Sequence, residues 1–369
     1  MERFDVRVLG AGIVGHCLAL SLARAGLRVA LQTGARKGGT SPDVRAYALN
    51  AASVDLLRGL KVWDALPHHA ATRVLDMHVQ GDAAPAAIDF SAWQQHVDAL
   101  AWITDAAVLE RELANAVRFA PHITVTETEV AAPLTALCEG QASASRAALG
   151  VRFDRRDYGH QAIAARLTSS RAHLGLARQW FRSPDVLALL PFDTPLPDHS
   201  YALVWSLPDD AARASLALDD TAFEQALMGA TGGAAGELKL ASARASWPLM
   251  QAQASAWCGP GWVLLGDAAH VMHPLAGQGL NLGLADVAAL SQVLAQREPW
   301  RDLGDEKMLR RYARERLAPT WAMGQLTGGL LGLFSEGSPA VRELRNRGLT
   351  LVNHLPPLKR WLTGRALRS

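Results

Sequence analysis

Three closely spaced glycines near the N-terminus form the first pattern in the chain that could do chemistry. Gly10, Gly12 and Gly15 follow an apolar segment typical of a strand and precede a segment with helical spacing. With Ala11 between the first two, they form a turn in which the first glycine permits a tight bend, the second admits a pyrophosphate and the third allows close helix–strand packing. Since a helix N-terminus also attracts anions, the pattern predicts a dinucleotide site. The alternative is a glycine-bearing turn without a ligand.

The segments around this turn predict a β-α-β unit. Residues 5–9 and 27–31 are expected to be strands, and residues 19–25 have helical spacing before Gly26. In such units an acidic residue at the end of the second strand usually holds the adenosine ribose. Gln32 occupies that position here. Because its amide lacks the charge that strengthens such hydrogen bonds, we expect a weaker hold on the adenosine end.

A second glycine-rich segment, residues 266–286, carries the most specific pattern, GDAAHVMHPLAGQGLNLGLAD. It resembles the second flavin motif of the flavin-dependent aromatic hydroxylases, which are class A monooxygenases. The resemblance implies that Asp267 contacts the ribityl side of FAD. It also implies that a loop at a helix N-terminus lies beside the isoalloxazine and stabilises negative charge on the reduced flavin. The flavin-contacting residues implied by this motif are Gly266, Asp267, Pro274, Gly277, Gln278, Gly279, Leu280 and Asn281.

Shorter segments along nearly the whole chain narrow the resemblance to the ring hydroxylases of ubiquinone biosynthesis. They include the D-x-R-x-x-A-L pattern at 43–49, Y-x-x-Q at 158–161 and W-P-L at 247–249. By analogy, Arg45 lies near the flavin and Arg111 contacts the phosphate region of the cofactor. For both arginines the alternative is a surface ion pair.

An acidic motif of the family is altered in this chain. The family has an Asp-Gly motif that is associated with FAD and nicotinamide binding, and here Glu139 replaces the aspartate while Gly140, Ser143 and Arg146 are kept. One extra methylene moves a carboxylate by roughly 1 Å, which can matter greatly for positioning.

The chain is also shorter than its apparent relatives near residues 130–136. Relatives place a β-meander in this region, so we expect one face of the cofactor domain to be less covered. Two readings follow from these departures. The protein is either an active hydroxylase that tolerates them or a weakened or repurposed flavoprotein.

The resemblance implies FAD as cofactor, NAD(P)H as co-substrate, and O₂ and a small, lipophilic aromatic compound as substrates. Since the cofactor supplies the chemistry and the protein positions the ring, no catalytic side chain is nominated. His270 and His273 are expected to bond backbone at the flavin turn. No metal ligand set is expected, because they lie three residues apart without a nearby Cys or Glu.

Composition excludes other classes of protein. The 369 residues carry 37 Lys+Arg against 35 Asp+Glu, so no basic excess favours nucleic acid. Three separate cysteines fit a reducing, cytoplasmic setting, and no apolar run resembles a membrane span. The basic C-terminal tail could contact an anionic membrane surface or a hydroxylase assembly. The alternative is a helix packed on its own domain.

The expected fold is α/β, with a discontinuous Rossmann-like FAD-binding domain, a β-sheet substrate lobe and a helical C-terminal region. Within it, residues 45–66 are expected to be one helix. Three functions stay open: ring hydroxylation in ubiquinone biosynthesis, hydroxylation of a soluble aromatic or polyketide-like metabolite, and a flavin-poor scaffold in a hydroxylase assembly. The expected boundaries are 1–75, 100–150 and 245–300 for the FAD domain, 76–99 and 151–244 for the substrate lobe, and 301–369 for the C-terminal region.

Overall fold

A computed structural model describes residues 3–34, 43–81, 87–272 and 278–335 of the chain. His273, Pro274 and Gly277 of the predicted flavin loop lie outside the described residues, as does the tail 336–369. In the described part the strands are β1 (Val6–Leu9), β2 (Val29–Gln32), β3 (Ala46–Leu49), β4 (Ala71–Val74), β5 (Asp76–Gln80), β6 (Ala87–Ser91), β7 (Ala101–Asp105), β8 (Ile123–Thr126), β9 (Leu134–Leu137), β10 (Phe153–Ser169), β11 (Leu176–Arg182), β12 (Asp185–Phe192), β13 (Ser200–Pro208), β14 (Leu238–Leu240), β15 (Ala245–Ala254), β16 (Cys258–Gly259), β17 (Trp262–Leu264) and β18 (His270–Val271). The α-helices are α1 (Ile13–Arg24), α2 (Ala51–Gly59), α3 (Ala92–Gln95), α4 (Ala106–Phe119), α5 (Ala144–Ala148), α6 (Asp209–Ala217), α7 (Asp220–Thr231), α8 (Gln278–Ala295) and α9 (Glu306–Ser335).

A six-stranded sheet in the order β16-β17-β9-β1-β2-β8 forms the centre of the cofactor half. Strands β17, β9, β1, β2 and β8 run parallel, and only the short β16 is antiparallel. The predicted β-α-β unit is therefore confirmed, with Val6 opposite Val29. The carboxyl ends of the parallel strands meet at one edge, which is where α/β sheets bind ligands.

The prediction of one helix over residues 45–66 is wrong. Residues 46–49 form β3, which pairs with β7, and α2 begins only at Ala51. Asn50 separates the two elements, because its side chain accepts a hydrogen bond from Ser53 N and caps the helix. The prediction rested on an apolar stripe of Leu49, Val54, Leu57 and Leu60, which continues across this cap.

The shortened connection joins β8 to β9 through residues 127–133, in which no strand is found. The exposed fractions of the residues on β1 bear on the expected loss of cover. Val6 and Val8 on one face are completely buried, while Arg7 on the other face is only partly buried. Leu9 and Ala30 on that same face are buried, however, so the expectation that one face of the sheet is less covered stays a prediction.

The larger sheet of the other half runs β18-β15-β10-β13-β12-β11-β5-β6, with β14 beside β10. One face carries Leu187, Leu189, Leu203 and Trp205, which pack with α6 and α7 residues such as Phe223. The opposite face packs against the small sheet β3-β7-β4. The β-strand lobe therefore meets the cofactor half through that small sheet.

Helix α9 runs along the cofactor half and includes Pro319. Tyr312 is fully buried, and its hydroxyl donates to the carbonyl of Leu264 at 2.8 Å. None of the described helices is long and apolar enough to cross a membrane. The division into domains at the stated boundaries stays a prediction.

Candidate functional site

The glycine turn after β1 has a shape that other residues could not adopt. Gly10 has φ +102°, and a Cβ there would lie 2.4 Å from the carbonyl oxygen of Cys138. A Cβ on Gly15 would lie 1.9 Å from the carbonyl oxygen of Gly10. Both glycines are needed because the turn, α1 and the segment after β9 are in direct contact.

Gly12 is different, because a Cβ there would meet nothing within 4 Å. It is the N-cap residue of α1, whose first turn carries no acidic side chain. Among the described residues, the surroundings of Gly12 therefore leave room beside the first turn of α1, and that turn itself carries no carboxylate. This arrangement fits the pyrophosphate of FAD, which binds at a helix N-terminus by approaching the backbone closely.

Val14 brings the two glycine motifs together. Its Cγ2 would lie 3.2 Å from a Cβ on Gly266 and 2.8 Å from one on Gly283. The first turn of α1 thus contacts both the turn at residue 266 and the first turns of α8. Segments more than 250 residues apart in sequence are therefore packed against one another here.

A buried carboxylate holds the turn that carries Asp267. Asp286 Oδ2 accepts hydrogen bonds from Gly266 N at 3.0 Å and His270 Nε2 at 2.7 Å, and Oδ1 accepts one from Arg316 Nε at 2.8 Å. Burial alone would raise the pKa of Asp286, but His270 and Arg316 outweigh it and hold that pKa below its ordinary value. His270 was expected to bond backbone, and its bond to this carboxylate replaces that expectation.

Asp267 is exposed to solvent, yet the protein around it raises its pKa by partial desolvation. Arg45 and His270 act in the opposite direction. A carboxylate that is accessible and still surrounded by protein lies in a concave part of the surface. It is placed to accept a hydrogen bond from a ligand hydroxyl, as the ribityl chain of FAD would offer.

The two arginines predicted near the cofactor have different surroundings. Arg45 pairs with Asp43 at 2.6 Å and Glu110 at 3.3 Å, and its charge reaches Asp267. Arg111 is exposed and pairs with its neighbour Glu112. The contact of Arg111 with a phosphate stays a prediction, and the described pair matches the surface alternative.

Asn281 connects the start of α8 to the segment around β3. Its Oδ1 accepts from Asn50 N at 3.0 Å and from Ser53 Oγ at 2.7 Å, while its Nδ2 donates to Ala48 O at 2.8 Å. Two residues earlier, a Cβ on Gly279 would meet no atom of the described residues within 4 Å. Helix α8 begins at Gln278 and includes the half-buried Leu280, and the bonds of Asn281 fix its first turn against the segment around β3.

The residues of the altered acidic motif form hydrogen bonds within the protein. Glu139 accepts hydrogen bonds from Ser143 Oγ at 2.6 Å and Ser145 Oγ at 3.1 Å, next to Gly140 with φ +76°. Arg146 is buried and donates to the carbonyl of Ala268 at 2.8 Å. The motif thus supports the turn at residue 267 through Arg146, while Ser143 caps α5 and Glu139 holds the Ser143 hydroxyl.

The face of the large sheet that looks toward the small sheet has short side chains. Ala164, Val204 and Ala188 lie side by side across β10, β13 and β12, and Ala162 and Ser206 form the neighbouring row. Ala188 and Val204 pack with Val74 and Ile103 of the small sheet, so this row lies in the interior between the two sheets. Sequence analysis located this strand region but could not separate its two faces.

A cluster in the β-strand lobe has the composition of a metal site. One atom each of His173, Asp193 and Asp198 lie within 4.8 Å of one another. His173 Nδ1 accepts from Gly175 N, and Asp193 accepts from Thr72 Oγ1 and Asp198 N. Together with the 3.3 Å contact between His173 Nε2 and Asp193 Oδ1, these bonds link two loops to strand β4.

Sequence reasoning did not identify Arg316, Asn50 or Ser53 as parts of the site. Arg316 lies on α9, 30 residues from its partner Asp286, and no local sequence pattern predicts the pair. Asn50 and Ser53 could have been found from their N-cap spacing, which also marks the start of α2.

Comparisons with known proteins agree with this geometry. Residues 3–125 and 111–327 match the family described as FAD binding domain. The 3-demethoxyubiquinol 3-hydroxylase of Escherichia coli is 28% identical over 385 residues, which cover 96% of this chain and 96% of that protein. The ubiquinone hydroxylase UbiL of Rhodospirillum rubrum is 28% identical over 381 residues, covering 96% of this chain and 87% of that protein.

Solved structures show the same fold. The p-nitrophenol 4-monooxygenase PnpA from Pseudomonas putida superposes with a TM-score of 0.77 at 18% identity, covering 100% of this chain and 99% of that one. PqsL from Pseudomonas aeruginosa, described as a probable FAD-dependent monooxygenase, superposes with a TM-score of 0.75 at 20% identity, covering 95% and 100%.

Proposed function

The chain belongs to the FAD-binding domain family, and we propose that it is an FAD- and NAD(P)H-dependent monooxygenase that hydroxylates an aromatic ring, namely a polyprenyl phenol or quinol intermediate of ubiquinone biosynthesis. The observation that carries this proposal is the contact of Val14 with Gly266 and Gly283. This contact brings together the N-terminal parts of α1 and α8 and the turn that carries the carboxylate of Asp267. Relatives that match over nearly their whole length are named as ubiquinone-pathway hydroxylases, which supports the substrate class.

The residues would hold FAD in three parts. The turn at Gly10–Gly15 and the N-terminus of α1 would bind the pyrophosphate, Asp267 would accept from the ribityl chain, and the N-terminus of α8 would lie at the isoalloxazine. When bound and reduced by NAD(P)H, the flavin supplies the activation of O₂ that inserts one oxygen atom into an electron-rich ring.

The protein's own contribution is to position the ring and to exclude water. The row of Ala164, Val204 and Ala188 provides a surface of small apolar side chains for a lipophilic ring. Leu190 and Phe192, which follow Ala188 on the same face of β12, are buried and exclude water from the interface between the sheets. No side-chain nucleophile is required.

A lipophilic substrate also implies an exchange with membrane lipid. The proposal therefore includes a cytoplasmic protein with peripheral contact to the membrane or to a hydroxylase assembly. The support is the substrate class together with the basic composition of the C-terminal tail.

The test is substrate-dependent oxidation of NAD(P)H by the FAD-loaded protein under isotopically labelled O₂. A prenylated phenol is expected to accelerate oxidation and to gain one labelled oxygen atom, whereas the same ring without the chain is expected to be a poorer substrate. A preference for the unprenylated ring would favour a soluble metabolite instead. Absence of labelled product with either compound would overturn hydroxylation, with Gly15→Ala as the matched flavin-deficient control.

A further inference from the structure

Gln32 forms a hydrogen bond with a charged residue, Arg7, which the sequence motif does not predict. Arg7 and Gln32 lie on the same face of the parallel sheet, since Arg7 pairs with Ala30 and Leu9 pairs with Gln32. Arg7 Nε donates to Gln32 Oε1 at 2.9 Å. Its Nη1 lies 2.7 Å from Oε1 of Glu129, a residue of the shortened connection between β8 and β9.

This contact fixes the orientation of the Gln32 amide. An arginine Nε carries a hydrogen and cannot accept, so the amide oxygen must face Arg7. The amide nitrogen, which carries two donors and no acceptor, then faces away from Arg7. Gln32 ends β2 beside the glycine turn, because its carbonyl accepts from Gly10 N at 3.0 Å.

We propose that Arg7 is a positioning residue for FAD, turning the amide NH₂ of Gln32 towards the ribose of the adenosine moiety. A neutral donor to a ribose oxygen thereby replaces the carboxylate acceptor that is usual at the end of β2. The inference rests on FAD binding and not on which ring is hydroxylated.

The charges around Arg7 explain why an amide is compatible with this position. The Arg7 side chain is 14% exposed, and its ionic partner Glu129 is 78% exposed. With Glu129 already paired to Arg7, a second carboxylate at position 32 would put two negative charges on one guanidinium. The short connection after β8 therefore supplies the counter-ion, and Gln32 supplies the ligand contact.

The experiment measures dissociation constants for FAD and for riboflavin 5′-phosphate, which lacks the adenosine, by quenching of flavin fluorescence. Arg7→Met and Gln32→Met are each expected to weaken FAD binding by about 2- to 10-fold, the value of one hydrogen bond. Their combination should weaken it no further, because Arg7 acts through Gln32. Affinity for riboflavin 5′-phosphate should not change.

Arg24→Met, at the exposed end of α1, serves as the matched control and should leave both affinities unchanged. If Arg7→Met does not fold, Arg7→Lys keeps a positive charge for Glu129 but loses Nε, and should weaken FAD binding selectively. Additive losses in the double variant, equal losses for both flavins, or an unchanged affinity for FAD would each overturn the proposal. None of these binding measurements depends on hydroxylation. Failure of the proposal about Arg7 can therefore be distinguished from failure of the proposed hydroxylase function.

Discussion

The carboxylate of Asp286 accepts a hydrogen bond from Arg316 at 2.8 Å, which ties helix α9 to the turn beside the flavin cleft. The same carboxylate binds Gly266 N and His270, and Trp257 stacks on the His270 ring with centroids 5.0 Å apart. Since Asp286 is completely buried, its charge is tolerated only because these donors surround it. The C-terminal region thus supports the residue proposed to hold the ribityl chain.

Removing this charge should destabilise the protein in a pH-dependent manner. Asp286→Asn leaves Arg316 without its counter-ion and His270 without a charged acceptor, and should lower the free energy of unfolding by about 3–5 kcal/mol at neutral pH. Because the folded-state pKa of Asp286 is lowered, its stabilisation is present above the ordinary pKa of about 3.9 and is lost as pH falls through the folded value. Urea unfolding of wild type and variant between neutral and acidic pH measures this difference.

A control on helix α9 separates the loss of a buried ion pair from the loss of a partly exposed one. Arg311→Met removes an arginine of α9 whose ion-pair partner, Glu298, is partly exposed, and should cost no more than about 1 kcal/mol. Equal losses for Asp286→Asn and Arg311→Met, or a pH-independent difference, would contradict the role of the buried carboxylate.

Gly15→Ala should damage the cofactor turn. The new methyl group would lie 1.9 Å from Gly10 O, so the turn and α1 must separate. We expect a lower melting temperature and loss of FAD binding. Gly59→Ala is the control, because a Cβ at this position of α2 would meet no atom of another described segment within 4 Å, and it should be neutral or stabilising by about 0.5–1 kcal/mol. Thermal unfolding with and without FAD distinguishes the two; retained FAD binding by Gly15→Ala would count against the proposed pyrophosphate site.

Asp267→Asn should weaken FAD binding by roughly 10- to 100-fold, because a charged acceptor is lost. In the wild type, affinity for FAD should fall on acidification, because a protonated Asp267 accepts a hydrogen bond less strongly. Since the pKa of Asp267 is raised, this fall should occur at a higher pH than for an aspartate with an ordinary pKa. The variant should lack this pH dependence. Titration of FAD at several pH values tests both points, with Asp55→Asn on the exposed face of α2 as control; an unchanged affinity in Asp267→Asn would remove this residue from the site.

The sequence was sufficient for the local parts of the site and insufficient for its long-range connections. The turn at Gly10–Gly15 could be predicted because strand, glycine spacing and helix are adjacent in the chain. The break between β3 and α2 was missed because the apolar stripe continues through Asn50, whose capping bond ends the strand and starts the helix. The pairs Arg316–Asp286 and Arg7–Gln32 depend on sheet order and on the packing of α9, which residue spacing does not encode.

The visible absorption spectrum of the purified chain tests the central claim most directly. After incubation with FAD and removal of free cofactor, the protein is expected to keep the flavin bands, which NAD(P)H should bleach and O₂ should restore. Gly15→Ala, treated in the same way, should be colourless. A folded wild-type chain that remains colourless after addition of FAD would contradict the assignment as a flavin-dependent hydroxylase.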